Sequence, residues 1–366
     1  MSLEKEIIER RSEIRTDDLS MSIGEWQSLY ENKEIDIHPE FQRFYRWSPN
    51  QKSNLIESIL LGIPIPPIFV SQRKDGIWDV VDGLQRLSTL YEFFGILKDE
   101  NGSIKPPLIL EKTKYLPSLE GKKWNDPEDL QNSFGQEQRL LIKRSKLSVS
   151  IILRESDDKA KFELFQRLNT GGSDLTPQEV RNCILVMINK ESFLWLKSLA
   201  DYQNFQEAIS LSDKNNNEQY DIELALRFLI FSTLEMADFD RSKDVGQFIT
   251  ERMINLFSEG FDQQAAENRF KSTFDHIIES VGENSFRRYT NSTYKGGFLL
   301  TPYEVISYGL GFNYPNFPSA EETRQRAQNL FTNATYQQWS GSGIRANSRL
   351  PHLLPLGREL FAGNEN

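Results

Sequence analysis

Residues 79–90, Asp-Val-Val-Asp-Gly-Leu-Gln-Arg-Leu-Ser-Thr-Leu, constrain the fold more than any other stretch. A strand-like run, Ile77 to Val81, meets an Asp-Gly turn. From there Leu87, Leu90, Tyr91 and Phe94 recur at the spacing of a helix that packs one face downward, with Gly95 as its stop. A strand that turns through glycine straight into an amphipathic helix leaves Gln85 and Arg86 in the open first turn. Backbone N–H groups, the positive end of the helix dipole and an arginine then meet at one point, which suits a phosphate. A plain structural turn has the same local pattern.

The flanking residues extend this unit. Ser48-Pro49-Asn50-Gln51 combines a capping serine, a proline at the first helical position and a glutamine able to close a capping box. Leu55, Ile56, Ile59 and Leu60 give that helix its buried stripe, and Gly62 ends it in a left-handed conformation. Pro64, Pro66 and Pro67 enforce an extended approach to a strand at Ile68–Val70. Lys74-Asp75-Gly76 supplies the turn of a hairpin with residues 77–81.

Elsewhere the first 20 residues read as a loosely docked helix or tail. Ile23 to Tyr30 reads as a short helix, and 98–135 as an elaborated loop with short structured pieces. Leu147–Leu153 is β-like, and Lys159–Leu168 is helical before the turn Asn169-Thr170-Gly171-Gly172. Thr176-Pro177-Gln178-Glu179 is a second capping box, opening a helix to about residue 188. Residues 224–234, 245–257 and 265–281 repeat helical apolar spacing. The aromatic-rich 298–320 and the Gly/Ser stretch 340–343 imply irregular loops around one or two more helices. The expectation is an α+β N-terminal domain over 1–180 and a mainly helical domain over 181–366.

Several chemistries find no support. The single cysteine, Cys183, excludes an intrachain disulfide and sits among Val180, Val186 and Met187 as a small hydrophobe. His38, His276 and His352 form no close pair, so a histidine-built nuclease or zinc site is unsupported. No Walker A motif or Gly-x-Gly-x-x-Gly occurs. No long apolar run or charged-plus-greasy leader is present, so a cytoplasmic protein without membrane insertion is expected. The net charge of -10 argues against a protein that coats nucleic acid nonspecifically. Local cationic clusters remain at Arg139/Lys143/Arg144/Lys146 and Arg287/Arg288/Lys295; solvated faces are their plain reading.

Several motifs occur in one order: Ile37-His38-Pro39-Glu40-Phe41-Gln42-Arg43 with Tyr45-Arg46-Trp47; Leu55 to Ile68 with its Gly-Ile-Pro-Ile-Pro-Pro core; Asp82-Gly83-Leu84-Gln85-Arg86; Phe165-Gln166-Arg167-Leu168-Asn169-Thr170-Gly171-Gly172; and Leu175-Thr176-Pro177-Gln178-Glu179-Val180-Arg181-Asn182. Over roughly 20–190 this ensemble resembles the DUF262 family, found at the N-terminus of GmrSD-type modification-dependent restriction enzymes and related phage-defence proteins. The resemblance implies a ParB/sulfiredoxin-like fold, with NTP binding or hydrolysis coupled to recognition of modified DNA. The family's Asp-Gly-Gln-Gln-Arg lands on Asp82 to Arg86, where Leu84 replaces the first glutamine.

On this resemblance Asp82 and Arg86 are the candidate catalytic pair. Arg43, Gly83, Gln85, Arg86, Asn169, Gly171 and Gly172 are expected around an NTP, with or without Mg²⁺. Asp82 either orients a metal-bound water or simply caps the helix. Arg167 reaches the same ligand or Glu179, and Arg181 and Asn182 brace the loop from the capped helix; the alternative for these residues is an internal salt-bridge and hydrogen-bond network. The nuclease half of GmrSD-like enzymes resembles a His-Asn-His nuclease, and its paired histidines are missing here. The implied role is a recognition or switch protein with weak NTP hydrolysis and a separate nuclease as partner. DNA, modified or not, is a further implied partner; the C-terminal helical half is expected to mediate oligomerisation or dock another defence protein, with any DNA contact on a local basic face. The alternative is a noncatalytic DNA- or protein-binding regulator that retains the fold.

Overall fold

A computed structural model describes residues 2–4, 15–37, 47–99, 101–156, 176–212, 219–258 and 260–363. The chain divides into two compact units, Met1–Leu175 and Thr176–Asn366. The division falls at the cap of a helix, whereas a cut at 180 would pass through that helix.

The N-terminal unit is built on a five-stranded mixed sheet: β1 (Thr16–Ser22), β2 (Ile35–Asp36), β3 (Ile68–Gln72), β4 (Trp78–Asp82) and β5 (Lys146–Ile152). Its order is β1-β5-β3-β4-β2. β3 and β4 form the expected antiparallel hairpin, with Val70 opposite Val80 and Gln72 opposite Trp78. β3 also runs parallel to β5, Ile68 facing Val149. For residues 16–20 β1 corrects the reading as a helix or tail, because it pairs antiparallel with β5 from Thr16↔Ile152 to Ser22↔Lys146; residues 5–14 of that stretch lie outside the described residues. Its sequence, Thr-Asp-Asp-Leu-Ser-Met-Ser, is mostly exposed at the sheet edge, so no buried face imposed a legible alternation.

Helices α1 (Ile23–Glu31), α2 (Pro49–Leu61), α3 (Leu84–Phe94) and α4 (Gln136–Arg144) complete the unit. Ser48 and Gln51 close their capping box, and Gly62 stops α2 at φ 66°. Trp26, Ile56, Ile68, Val70, Leu87, Leu90, Tyr91 and Phe93 are completely buried in one core. Burying each such side chain contributes about 1.5–3 kcal/mol against the entropy of ordering the chain. Tyr91 stacks on Tyr30 with centroids 4.2 Å apart, and its hydroxyl donates to the Trp26 carbonyl at 3.1 Å. This core anchors β3, β4 and α3, the elements around the Asp82–Arg86 turn. Glu57 of α2, itself buried, ties down the 113–116 loop by accepting from Thr113 Oγ1 and from the N–H groups of Tyr115 and Leu116, the latter two at 2.8 Å.

The C-terminal unit is mainly helical: α5 (Pro177–Ile188), α6 (Lys190–Ala200), α7 (Gln203–Ile209), α8 (Tyr220–Phe231), α9 (Val245–Ser258), α10 (Gln263–Ser280), α11 (Leu300–Asn313), α12 (Ala320–Asn329), α13 (Ala334–Trp339) and α14 (Ala346–Leu360). A two-stranded ribbon, β6 (Arg288–Thr290) and β7 (Thr293–Lys295), interrupts them. Phe205, Phe228, Phe270 and Phe274 are all fully buried, with ring centroids 4.7–5.4 Å apart.

α11 corrects the expectation of irregular loops at 298–320. Every residue from Pro302 to Gly311 is buried, so this helix has no polar face and no period to read. It crosses α14 backbone to backbone. A Cβ on Gly309 would lie 2.3 Å from the Gly357 carbonyl oxygen, and one on Gly357 would lie 2.4 Å from that of Val305.

Candidate functional site

The strand-to-helix joint has the expected form. Gly83 takes φ 104° as the N-cap of α3, a conformation that L side chains rarely adopt. Space is a second constraint, because a Cβ there would fall 2.4 Å from Ile68 Cδ1 of β3. The hydrogen-bond ladder of α3 begins at the Leu87 N–H, which donates to the Gly83 carbonyl at 3.0 Å. No side chain caps the helix and no acid lies in its first turn.

Arg86 is buried and tightly held. Its Nη2 donates to Asp82 Oδ2 at 3.0 Å, while Nη1 donates to the carbonyls of Pro66 and, at 3.1 Å, Pro67. The other Asp82 oxygen, Oδ1, accepts the Gly83 N–H at 2.7 Å. Both carboxylate oxygens of Asp82 are therefore engaged. The side chain, 32% exposed, sits where an anion at this helix start would sit. A metal ion at Asp82 would have to displace those contacts. No group of three or more His, Cys, Asp or Glu side chains suited to a metal occurs among the described residues.

The prolines carry information that their type does not advertise. The rigid Gly-Ile-Pro-Ile-Pro-Pro approach to β3 presents two carbonyls to one guanidinium and so fastens the start of α3 to the preceding loop. Gln85 is half-buried in the same first turn. Asp82, Gly83, Gln85 and Arg86 are thus brought together. Arg43, Asn169, Gly171 and Gly172, with Phe41, Arg46 and Arg167, lie outside the described residues.

Residues 26–186 match the GmrSD restriction endonuclease, N-terminal domain. The matched span, most of the N-terminal unit together with the start of α5, is similar to the DUF262 family. That match links the chain to DNA-restriction and phage-defence systems, and the mixed sheet agrees with the ParB/sulfiredoxin-like fold expected of such a domain. No curated protein and no solved structure matches the chain.

The DUF262 segment runs past the N-terminal unit and ends within α5. Thr176 and Glu179 form their capping box there. Arg181 and Asn182, expected as braces of the loop or as members of an internal polar network, are buried in such a network within the C-terminal unit. Arg181 Nε donates to Gln178 Oε1 at 2.8 Å, and Gln178 Nε2 donates to Asn182 Oδ1 at 2.8 Å. Asn182 Nδ2 in turn donates to Gln219 Oε1 at 2.6 Å. Glu223 bridges Arg181 at 3.1 Å and Arg227 at 2.6 Å. Burial pushes the Arg181 guanidinium down to about 10, against the pull of Glu223. Burial alone would raise Glu223, yet Arg227 and Arg181 hold its carboxyl below its ordinary value. The sequence signal for this network is Glu223 and Arg227, four residues apart amid the apolar residues of helix α8.

Proposed function

We propose that this chain is the recognition or switch component of a DNA-restriction, phage-defence system. It senses a nucleotide phosphate at the first turn of α3 and leaves strand cleavage to a separate partner. The observation that carries this reading is the intramolecular anion at that turn. Asp82 occupies the Gly83 N–H and the Arg86 guanidinium together. A nucleotide phosphate has the charge and acceptor geometry to replace the carboxylate there, held by Arg86 and by first-turn N–H groups. Exchange of one anion for another at a fastened helix start couples ligand arrival to movement of Asp82. Any divalent ion arrives with the nucleotide, and weak hydrolysis is the enzymatic limit of the reading.

A second reading, a noncatalytic DNA- or protein-binding regulator, is favoured by one specific observation. Arg86 already donates to three protein acceptors and so serves as a structural bolt without any ligand. Titration of the full chain with a fluorescent ATP analogue separates the two. Under the switch reading wild type binds and Asp82→Asn binds more tightly, because the competing charge is removed. Phosphate release, where present, disappears in folded Arg86→Met. Nucleotide-independent DNA retention with no analogue binding selects the regulator.

A further inference from the structure

The C-terminal ribbon carries a charge arrangement that the fold does not need. β6 and β7 pair as Arg288↔Lys295, Tyr289↔Tyr294 and Thr290↔Thr293. The two-residue tip, Asn291 and Ser292, takes φ 50° and 56°, which closes a tight turn whose twist matches the strands. Side chains of directly opposed residues share a face. One face therefore presents Arg288, Lys295, Thr290 and Thr293, and the other pairs Tyr289 with Tyr294 at 4.9 Å between ring centroids. The tyrosines are half-buried against the unit, while Arg288, Thr293 and Lys295 are exposed.

Two like charges placed directly opposite destabilise a ribbon. Neither Arg288 nor Lys295 meets a carboxylate among the described residues. The chain carries a net charge of -10, yet no aspartate or glutamate lies between Glu283 and Glu304. A local repulsion in a segment cleared of acids is complementary to a polyanion. A two-stranded ribbon also has the width that the major groove of duplex DNA admits.

We infer that the β6–β7 ribbon is a duplex-DNA contact, with Arg288 and Lys295 meeting phosphates and the Asn291–Ser292 tip directed at the groove. The inference rests on the DNA-recognition part of the reading above and places the contact outside the DUF262 segment, which ends at 186. An acidic protein surface is the competing occupant, and the test discriminates against it.

The experiment measures binding of the full chain to a fluorescent, unmodified DNA duplex across a salt series. It compares wild type, Arg288→Gln/Lys295→Gln and a control, Lys112→Gln/Lys114→Gln. Loss of two phosphate contacts lowers the slope of log K against log salt by about 1.8. Affinity then falls about sixty-fold at 0.1 M salt, and the curves converge near 1 M. The ribbon variant retains the wild-type thermal midpoint or exceeds it, because repulsion is relieved. Parallel salt plots for wild type and ribbon variant overturn the ribbon assignment and leave DNA recognition standing. An equal fall in the control overturns it too, as does ribbon-dependent binding of polyglutamate with duplex affinity unchanged. A wild-type chain that binds no duplex at low salt overturns DNA recognition itself, and the ribbon with it.

Discussion

Replacing Arg86 by methionine keeps much of the apolar stem and removes the guanidinium. Three hydrogen bonds disappear: one to Asp82, one to Pro66 and one to Pro67. Breaking a fully buried ion pair from one side costs about 3–5 kcal/mol. Here the acceptors have access to water: Asp82 is 32% exposed, Pro66 is exposed and Pro67 is half-buried. Rehydration recovers part of that cost, leaving a destabilisation of about 2–3 kcal/mol. For a unit of this size that corresponds to a melting-point decrease of about 4–12 °C. Arg86→Lys retains the charge without the planar fork and should fall between the two. Urea unfolding followed by the fluorescence of Trp26 and Trp78, both in the N-terminal unit, reads the effect directly. A methionine variant as stable as wild type would refute the idea that Arg86 bolts α3 to the proline loop.

Other outcomes follow from single contacts. Gly83→Ala should cost about 2–4 kcal/mol, from the φ of 104° and from displacing the buried Ile68, and an unchanged urea midpoint would count against this. Burial alone would raise Glu57, but bonds from Thr113, Tyr115 and Leu116 hold its carboxyl below the ordinary range. A carboxyl lowered in the folded state stabilises fully above its unfolded pKa, about 4.3, and loses that contribution as pH falls through the folded value. Glu57→Gln should therefore trail wild type at pH 7 and converge with it only as pH falls below the folded value; a gap of constant size in the two urea midpoints across the acid range would contradict the assignment. Gly309→Ala should lower the melting point by about 6 °C or more, since the Gly357 backbone it would strike cannot swing aside. Gly297→Ala, where nothing lies within 4 Å, is the matched control and should melt as wild type does.

Much of the fold was legible where residues act locally. Ser48-Pro49-Asn50-Gln51 and Thr176-Pro177-Gln178-Glu179 are self-contained caps, and both formed. The β4–α3 joint was equally readable, because Gly83 must turn and Leu87, Leu90 and Tyr91 must bury. What escaped depended on partners distant in the chain. β1 is defined by β5, more than a hundred residues away, and shows no burial pattern of its own. α11 is wrapped on every side, which erases the period by which helices are recognised. At the site, Asp82 and Arg86 were named, but the carbonyls of Pro66 and Pro67 were not. A backbone acceptor leaves no mark in residue type.

The recognisable DUF262 segment ends at residue 186, within α5, where Val180, Ile184, Leu185 and Val186 are all buried in the C-terminal unit. The inherited motif and the cooperative folding unit therefore have different edges. A recombination event at the motif's edge would deliver a severed helix with an apolar surface and the charged Arg181 stripped of Glu223. Shuffling of C-terminal partners onto this kind of domain is thereby restricted. A viable exchange must either be made upstream of Thr176 or carry α5 across together with the helices that solvate its arginine.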